Sequence, residues 1–308
     1  MKLLGWPTKE EVGLLDMLKT LFISVVLLIS CSAGGDQPVD RMVNIGSHSL
    51  HAVVEGTGSP AVVFDGGIAT RCEEYRALLD RVATATTVVM YDRAGYGSSE
   101  AGPLPRDSRR EIEELRALIA ELKIPGPYIL VGHSLGGLNV QVYASHYPEE
   151  VAGMVLLDPP PLRFILGKEY TELASMADQM TEEWQGIGDS GLRSENAEER
   201  ANAEFFLMLA SEHREMFISS AKQASSIVSF GDIPLVVVAS GVPNPMFGDV
   251  AEAYQQFWAA ESEALGAKSR HGQFVFAETS THRLHEDAED LVAEKILSMV
   301  SSLRNSGQ

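Results

Sequence analysis

The chain has 308 residues, of which 24 are Lys or Arg and 43 are Asp or Glu, for a net charge of −19. The apolar fraction of 45% is that of a globular protein with one large or two small domains, and no basic stripe exists to neutralise phosphates, which excludes nucleic acid as a partner. Two cysteines, Cys31 and Cys72, leave no room for a disulfide framework.

In chain order, Met17 to Cys31 comes first, with a positive start, a short apolar core from Leu21 to Ile29 and a small residue before a cysteine. That is the pattern of a secretory signal, and the apolar run falls short of the roughly 20 residues that a spanning helix needs. The ending Leu28-Ile29-Ser30-Cys31 resembles the lipobox of bacterial lipoproteins. The resemblance implies cleavage before Cys31, a lipid on Cys31, and attachment to the membrane of a bacterial cell envelope, facing the periplasm or exterior; the alternative is a plain signal peptide and a secreted soluble protein. Residues 1–30 are therefore expected to be a signal peptide, with 1–16 an extension ahead of the better start at Met17. Residues 31–40, small and polar, are expected to form a tether.

Met42 to Ile45 and Leu50 to Glu55 predict a hairpin, Ala61 to Phe64 a buried strand, Glu73 to Val82 a helix, and Thr87 to Tyr91 the next strand. A helix over Asp107 to Leu122 is predicted from Ile112, Leu115, Leu118, Ile119 and Leu122 on one face, capped by Asp107. Tyr128 to Val131 is a strand and Leu135 to Tyr147 a helix; Gly153 to Asp158, Pro234 to Ala239 and Gln273 to Phe276 are strands, and a helix closes the chain from Asp287 to Leu303. Alternating helices and apolar strands imply a mostly parallel α/β sheet covered on both faces. Residues 159–232 have helical periodicity and no convincing strand, so they read as a helical lid inserted into a core of 41–158 and 233–308.

Between the strand and helix around position 130 lies Gly132-His133-Ser134-Leu135-Gly136. A serine at the apex of a strand–turn–helix needs strained angles and small residues two positions before and after it, which presents its hydroxyl to a substrate. A serine hydroxyl needs a base to act as a nucleophile. Among eight histidines, His282 stands on the loop before the terminal helix, with His285 its rival, expected to be solvated or capping. The side chain of His133 is expected to point away from Ser134. The orienting carboxylate has two candidates: Asp158, at a strand end before Pro159-Pro160-Pro161, and Asp249, in the loop after the following strand, where it could instead cap the helix holding Tyr254 and Phe257. Backbone N–H groups of Leu135 and of Ile68, after Gly66-Gly67, are candidates for an oxyanion hole. Asp92 and Arg93 are read as a charge-assisted clamp on their loop, and Cys72 as a small, partly buried residue. Phe164, Trp184, Phe205, Phe206, Met176, Met180 and Met208 of the insertion are ordinary core, or an acyl pocket where they face the site.

Together, the glycine turn after Phe64, Tyr91-Asp92-Arg93-Ala94-Gly95-Tyr96-Gly97-Ser98, the Ser134 turn, the strand ending Val155-Leu156-Leu157-Asp158-Pro159 and Ser280-Thr281-His282 before a final helix resemble the α/β-hydrolase superfamily over residues 41–303. The resemblance implies that fold and a Ser-His-acid hydrolase with a helical lid, acting on a small-molecule acyl substrate. The family's commonest acid position points to Asp249; the position used by some members is Asp158, which fits the local sequence better. An aspartate rather than a serine stands at this turn in epoxide hydrolases and dehalogenases. No His-Glu-x-x-His spacing and no phosphate-binding glycine loop occur, so neither metal nor cofactor is expected. The competing expectation is a ligand-binding or signalling protein that keeps the fold and turns over very slowly or not at all.

Overall fold

The computed structural model describes residues 39–306. The expected signal segment, Cys31 and most of the tether lie outside the described residues. Among those described, no helix is long and apolar enough to cross a membrane.

Eight strands form one sheet. β1 (Val39–Asn44) and β2 (Ser49–Glu55) pair antiparallel, with Gly46 at φ 103° in their turn. β1 starts three residues before the expected Met42 because Val39 and Asp40 pair with Val54 and Val53, so these two residues belong to the sheet rather than to the expected tether. β3 (Val62–Asp65), β4 (Val88–Tyr91), β5 (Tyr128–His133), β6 (Val151–Leu157), β7 (Leu235–Ser240) and β8 (Gly272–Ala277) follow, and the spatial order is β1-β2-β4-β3-β5-β6-β7-β8. β2 runs antiparallel to β4, and every pair from β4 to β8 is parallel.

Successive side chains of each strand point to opposite faces, so the sheet feeds two cores. Leu130 of β5 and Val237 of β7 face a core with α2 (Ser108–Leu122), α3 (Leu135–His146) and α8 (Ala251–Gly266). Ile129, Val131, Val236 and Val238 face the other, with α1 (Arg76–Ala83) and α10 (Glu289–Ser306). α2 begins where the sequence predicts, and the Asp107 side chain accepts from the Arg110 N–H at 2.9 Å. The helix expected from Glu73 is split: a 3₁₀ turn over Cys72–Tyr75 precedes α1.

Between β6 and β7 the chain forms α4 (Leu162–Ile165), α5 (Thr171–Gly191), α6 (Ala197–Glu215), a π turn and α7 (Ala221–Ser225). The β6–β7 connection thus contains helices and no named strand. α9 (Leu284–Asp287) is a single turn before α10.

Register places the chemistry. Asp65 pairs with Gly132, His133 with Leu157, and Leu157 with Val238. The carboxyl ends of β3, β5, β6 and β7 therefore finish side by side, the edge at which open parallel sheets bind ligands.

Candidate active site

Ser134 follows β5 at φ 52°, ψ −121°, a conformation unusual for a residue with a side chain. Its N–H donates to the Leu157 carbonyl and its carbonyl accepts from Gly137 N–H, both at 2.9 Å. A Cβ at Gly132 would stand 2.5 Å from the Gly136 carbonyl oxygen, and one at Gly136 would stand 2.1 Å from that of Asp65. Both glycines are demanded by close backbone approach, as the turn chemistry predicts.

Asp158 follows β6, also at positive φ (47°). Its N–H donates to Val238 at 2.7 Å. Its Oδ1 accepts from the Ser240 N–H at 2.9 Å, and its Oδ2 from the Ser240 hydroxyl at 2.8 Å. His282 Nδ1 lies 2.7 Å from Asp158 Oδ2. An ionised carboxylate only accepts, so His282 carries its proton on Nδ1 and keeps Nε2 as an acceptor. The acid side chain is 3% exposed and the imidazole 42%, so the carboxylate is dry and the base is open to a ligand.

Asp249 is not brought to His282. It is exposed in the 3₁₀ turn Pro245–Val250, which Asn244 caps by accepting from Met246 N–H at 3.0 Å. Nor does it cap α8, whose N-cap is Val250.

His133 is buried, with its ring centroid 4.9 Å from that of His282. Burial and the nearby His282 and His285 push its pKa well down, so it is neutral. Its Nε2–H donates to the His282 carbonyl at 2.8 Å, and its Nδ1 accepts from the Tyr75 hydroxyl at 2.7 Å. Tyr75 in turn accepts from the Gly67 N–H at 3.2 Å. The loop after β3, the serine turn and the His282 loop are thus joined by one buried chain of hydrogen bonds. His285 corrects an expectation: it is buried rather than solvated, stacked on Tyr75 with ring centroids 4.1 Å apart, and burial lowers its pKa to about 4. Glu286 and Asp287 of the same short helix α9 are exposed, whereas Leu284 and His285 are turned inward.

With the Gly67 N–H occupied, Ile68 N–H has no acceptor among the described residues. Leu135 is the first residue of α3, where N–H groups project beyond the helix. These are the two donors proposed from sequence.

A cavity of about 390 Å³ opens beside the pair, lined by Asp158, His282, Val242, Phe247, Tyr254 and Trp258 among others. The Trp258 and His282 rings meet edge to face at 5.7 Å. Its aromatic lining comes from the turn after β7 and from α8, not from the insertion: Phe164 and Met208 are buried core, and Met176 and Met180 are exposed. Ser240, Tyr75 and Trp258 were not singled out from sequence. Ser240 is legible only once Leu157 is known to pair with Val238; Tyr75 and Trp258 carry no local signal.

The Asp92–Arg93 loop is a clamp. Asp92 accepts from the Cys72 N–H (2.7 Å), the Ser98 N–H (3.1 Å) and His51 Nδ1 (2.8 Å). His51, Cys72 and Asp92 have ligand-type atoms within 4.8 Å of one another, but these bonds occupy the carboxylate and burial pushes the thiol pKa far up. Hydrogen bonding accounts for the cluster without an ion.

The model of the alpha/beta hydrolase family matches residues 50–295. The chain belongs to that family. Its similarity to the uncharacterized protein YqjL of Bacillus subtilis (strain 168) is 25% identity, over 80% of this chain and 84% of that one. A 2-(acetamidomethylene)succinate hydrolase of Mesorhizobium japonicum is 29% identical over 43% of this chain and 47% of its own length. The haloalkane dehalogenase DbeA of Bradyrhizobium elkani shares the fold at TM-score 0.67 and 17% identity, over 88% of this chain and 100% of that structure. This family membership, with hydrolases among the relatives, makes the edge at Ser134 the candidate active site.

Proposed function

We propose that this family member is a serine hydrolase that cleaves a carboxylic ester or related acyl bond. The Asp158–His282 hydrogen bond at 2.7 Å, beside a serine held in a strained turn, carries this reading. His282 Nε2 takes the proton of Ser134 as its oxygen attacks the carbonyl. Asp158 stabilises the imidazolium that forms, and the Ile68 and Leu135 N–H groups hold the oxyanion. His282 then returns the proton to the leaving group, and water releases the acid by the same steps reversed.

Two comparisons bear on the reaction type. The Mesorhizobium relative is named a hydrolase, which favours hydrolysis. The dehalogenase likeness concerns the fold alone, and this chain has Ser134 at the turn. The helical segment 159–232 serves in this reading as a lid. Residues 17–31 carry the additional proposal of a lipid on Cys31 and envelope attachment, which the mass of the mature N-terminal peptide tests.

The deciding experiment labels the full-length chain with a fluorophosphonate probe beside Ser134→Ala. Labelling of the unaltered protein alone supports the reading. A folded, soluble protein that neither labels nor hydrolyses small p-nitrophenyl esters would refute it and favour a binding protein.

A further inference from the structure

Arg93 is fully buried, and its five N–H groups have five acceptors. Nη1 donates to Asp65 Oδ1 at 2.7 Å and to the Gly66 carbonyl at 2.6 Å. Nη2 donates to the Gly67 carbonyl at 2.7 Å and to Glu212 Oε2 at 3.1 Å, and Nε to Glu212 Oε1 at 3.0 Å. One planar guanidinium therefore ties two successive carbonyls of the loop after β3 to a carboxylate at the end of α6, in the inserted helical segment.

The Gly67 carbonyl belongs to the same peptide plane as the Ile68 N–H. In a trans peptide the two point in opposite directions. Drawing the carbonyl toward Arg93 turns the Ile68 N–H to the opposite side of that peptide, and the serine turn is close to this loop: a Cβ at Gly67 would stand 3.4 Å from Ser134 Cβ. A cation on the carbonyl also polarises that peptide and strengthens its N–H as a donor. Thr70 assists by donating its hydroxyl to the same carbonyl at 2.8 Å.

The position of Arg93 depends in turn on Glu212. The side chain of Glu212 is fully buried, and its Oε2 also accepts from the Tyr96 hydroxyl at 2.7 Å. Glu111 stands 3.7 Å from Arg93 Nε, outside hydrogen-bond range, and burial together with Glu212 pushes its pKa well up. Without the Glu212 carboxylate, Nε and one N–H of Nη2 lose their charged acceptor, and only Asp65 and the two carbonyls still hold the fork.

We propose that Arg93 is a positioning residue that aims the Ile68 N–H at the oxyanion, and that Glu212 of the inserted helices holds Arg93 in that pose. Seating of the helical segment and aim of the oxyanion donor are then one event. This rests on the serine-hydrolase reading, but part of its test does not.

The test uses full-length Glu212→Gln, which keeps the volume and one acceptor for Arg93, and Arg93→Lys, which keeps the charge and loses the fork. Two quantities are read: the backbone amide resonance of Ile68 in ¹⁵N-labelled protein, and kcat and KM for p-nitrophenyl butyrate. Loss of an oxyanion donor costs about 10²–10³-fold in kcat; a donor misaimed rather than lost should cost about 10- to 100-fold, with KM within about twofold. The Ile68 resonance should move in Glu212→Gln and in any folded Arg93→Lys. An unmoved Ile68 resonance in folded Glu212→Gln overturns the proposal, as does a loss that falls on KM. If no variant and no unaltered protein turns over ester, the serine-hydrolase reading fails by itself, and the Ile68 resonance still decides whether Glu212 sets the loop.

Discussion

Asp158→Asn is the substitution whose outcome the geometry constrains most. Oδ1 of Asp158 accepts from a backbone N–H, that of Ser240, which cannot reverse its polarity. The asparagine must keep its oxygen there, so its amide NH₂ takes the place of Oδ2, 2.7 Å from His282 Nδ1. An NH₂ only donates at that position, so Nδ1 must accept and the imidazole proton moves to Nε2. His282 then offers an N–H where it should accept the Ser134 proton. Flipping the amide restores the tautomer but sets NH₂ against the Ser240 N–H and leaves a buried donor unmade, at about 1–3 kcal/mol. Loss of the charge-assisted bond to the imidazolium adds about 1.5–3 kcal/mol. The sum, about 2.5–6 kcal/mol, corresponds to about 10²- to 10⁴-fold in rate. The substitution leaves shape unchanged, so the melting temperature should move little. Asp249→Asn, at an exposed position without a bond to His282, should stay within about twofold. The assay is kcat/KM for p-nitrophenyl butyrate with both variants beside the unaltered protein. Retention of more than about a tenth of the activity by Asp158→Asn, or a larger loss in Asp249→Asn, would refute the argument.

Two further outcomes concern stability. His285 has both ring nitrogens buried without partners and a pKa lowered by burial to about 4, against 6.5 unfolded. The folded state resists protonation, so stability falls as pH drops through 6.5 and the loss levels off below about 4, reaching about 2 kcal/mol at pH 5. His285→Phe keeps an aromatic ring against Tyr75; urea unfolding should show it near the unaltered protein at pH 7.5 and about 2 kcal/mol less acid-sensitive at pH 5, and an unchanged pH difference would contradict this. Gly136→Ala drives a methyl to 2.1 Å from the Asp65 carbonyl oxygen, so it should cost at least about 1–3 kcal/mol in chemical denaturation and depress probe labelling at Ser134; full retention of both would show that the turn yields.

How much of this was legible in sequence depended on distance along the chain. The serine turn, the Asp107 cap and the strands of the parallel sheet are local, and they stand where the residues place them. The Asp92–Arg93 loop was readable as a clamp, but not what it clamps, because Glu212 lies 119 residues from Arg93. The acid remained open between Asp158 and Asp249 for a similar reason: which carboxylate meets His282 is set by the pairing of β6 with β7, a non-local fact. His285 was misread because spacing of a helical turn from His282 suggested a solvated face, whereas α9 ends after four residues and packs its histidine beneath Tyr75. The aromatic wall of the cavity was sought in the insertion, since its residues are conspicuous there; α8 supplies it instead because that helix packs directly on β7.

The distribution of backbone strain gives an independent argument for the site. Five non-glycine residues among those described have positive φ, and three of them, Ala69, Ser134 and Asp158, lie just past the carboxyl ends of β3, β5 and β6. Each such residue costs of order 1–3 kcal/mol and persists only where its surroundings over-determine it. Here the surroundings can be named. The Ser134 N–H is held by Leu157 of the next strand, and the Asp158 N–H by Val238 of the strand after that. Ser134 and Asp158 are thus each pinned by the next strand of the sheet. The same pins that tolerate the strain fix the spacing of nucleophile and acid, so a change of sheet register would move Ser134 and Asp158 relative to one another.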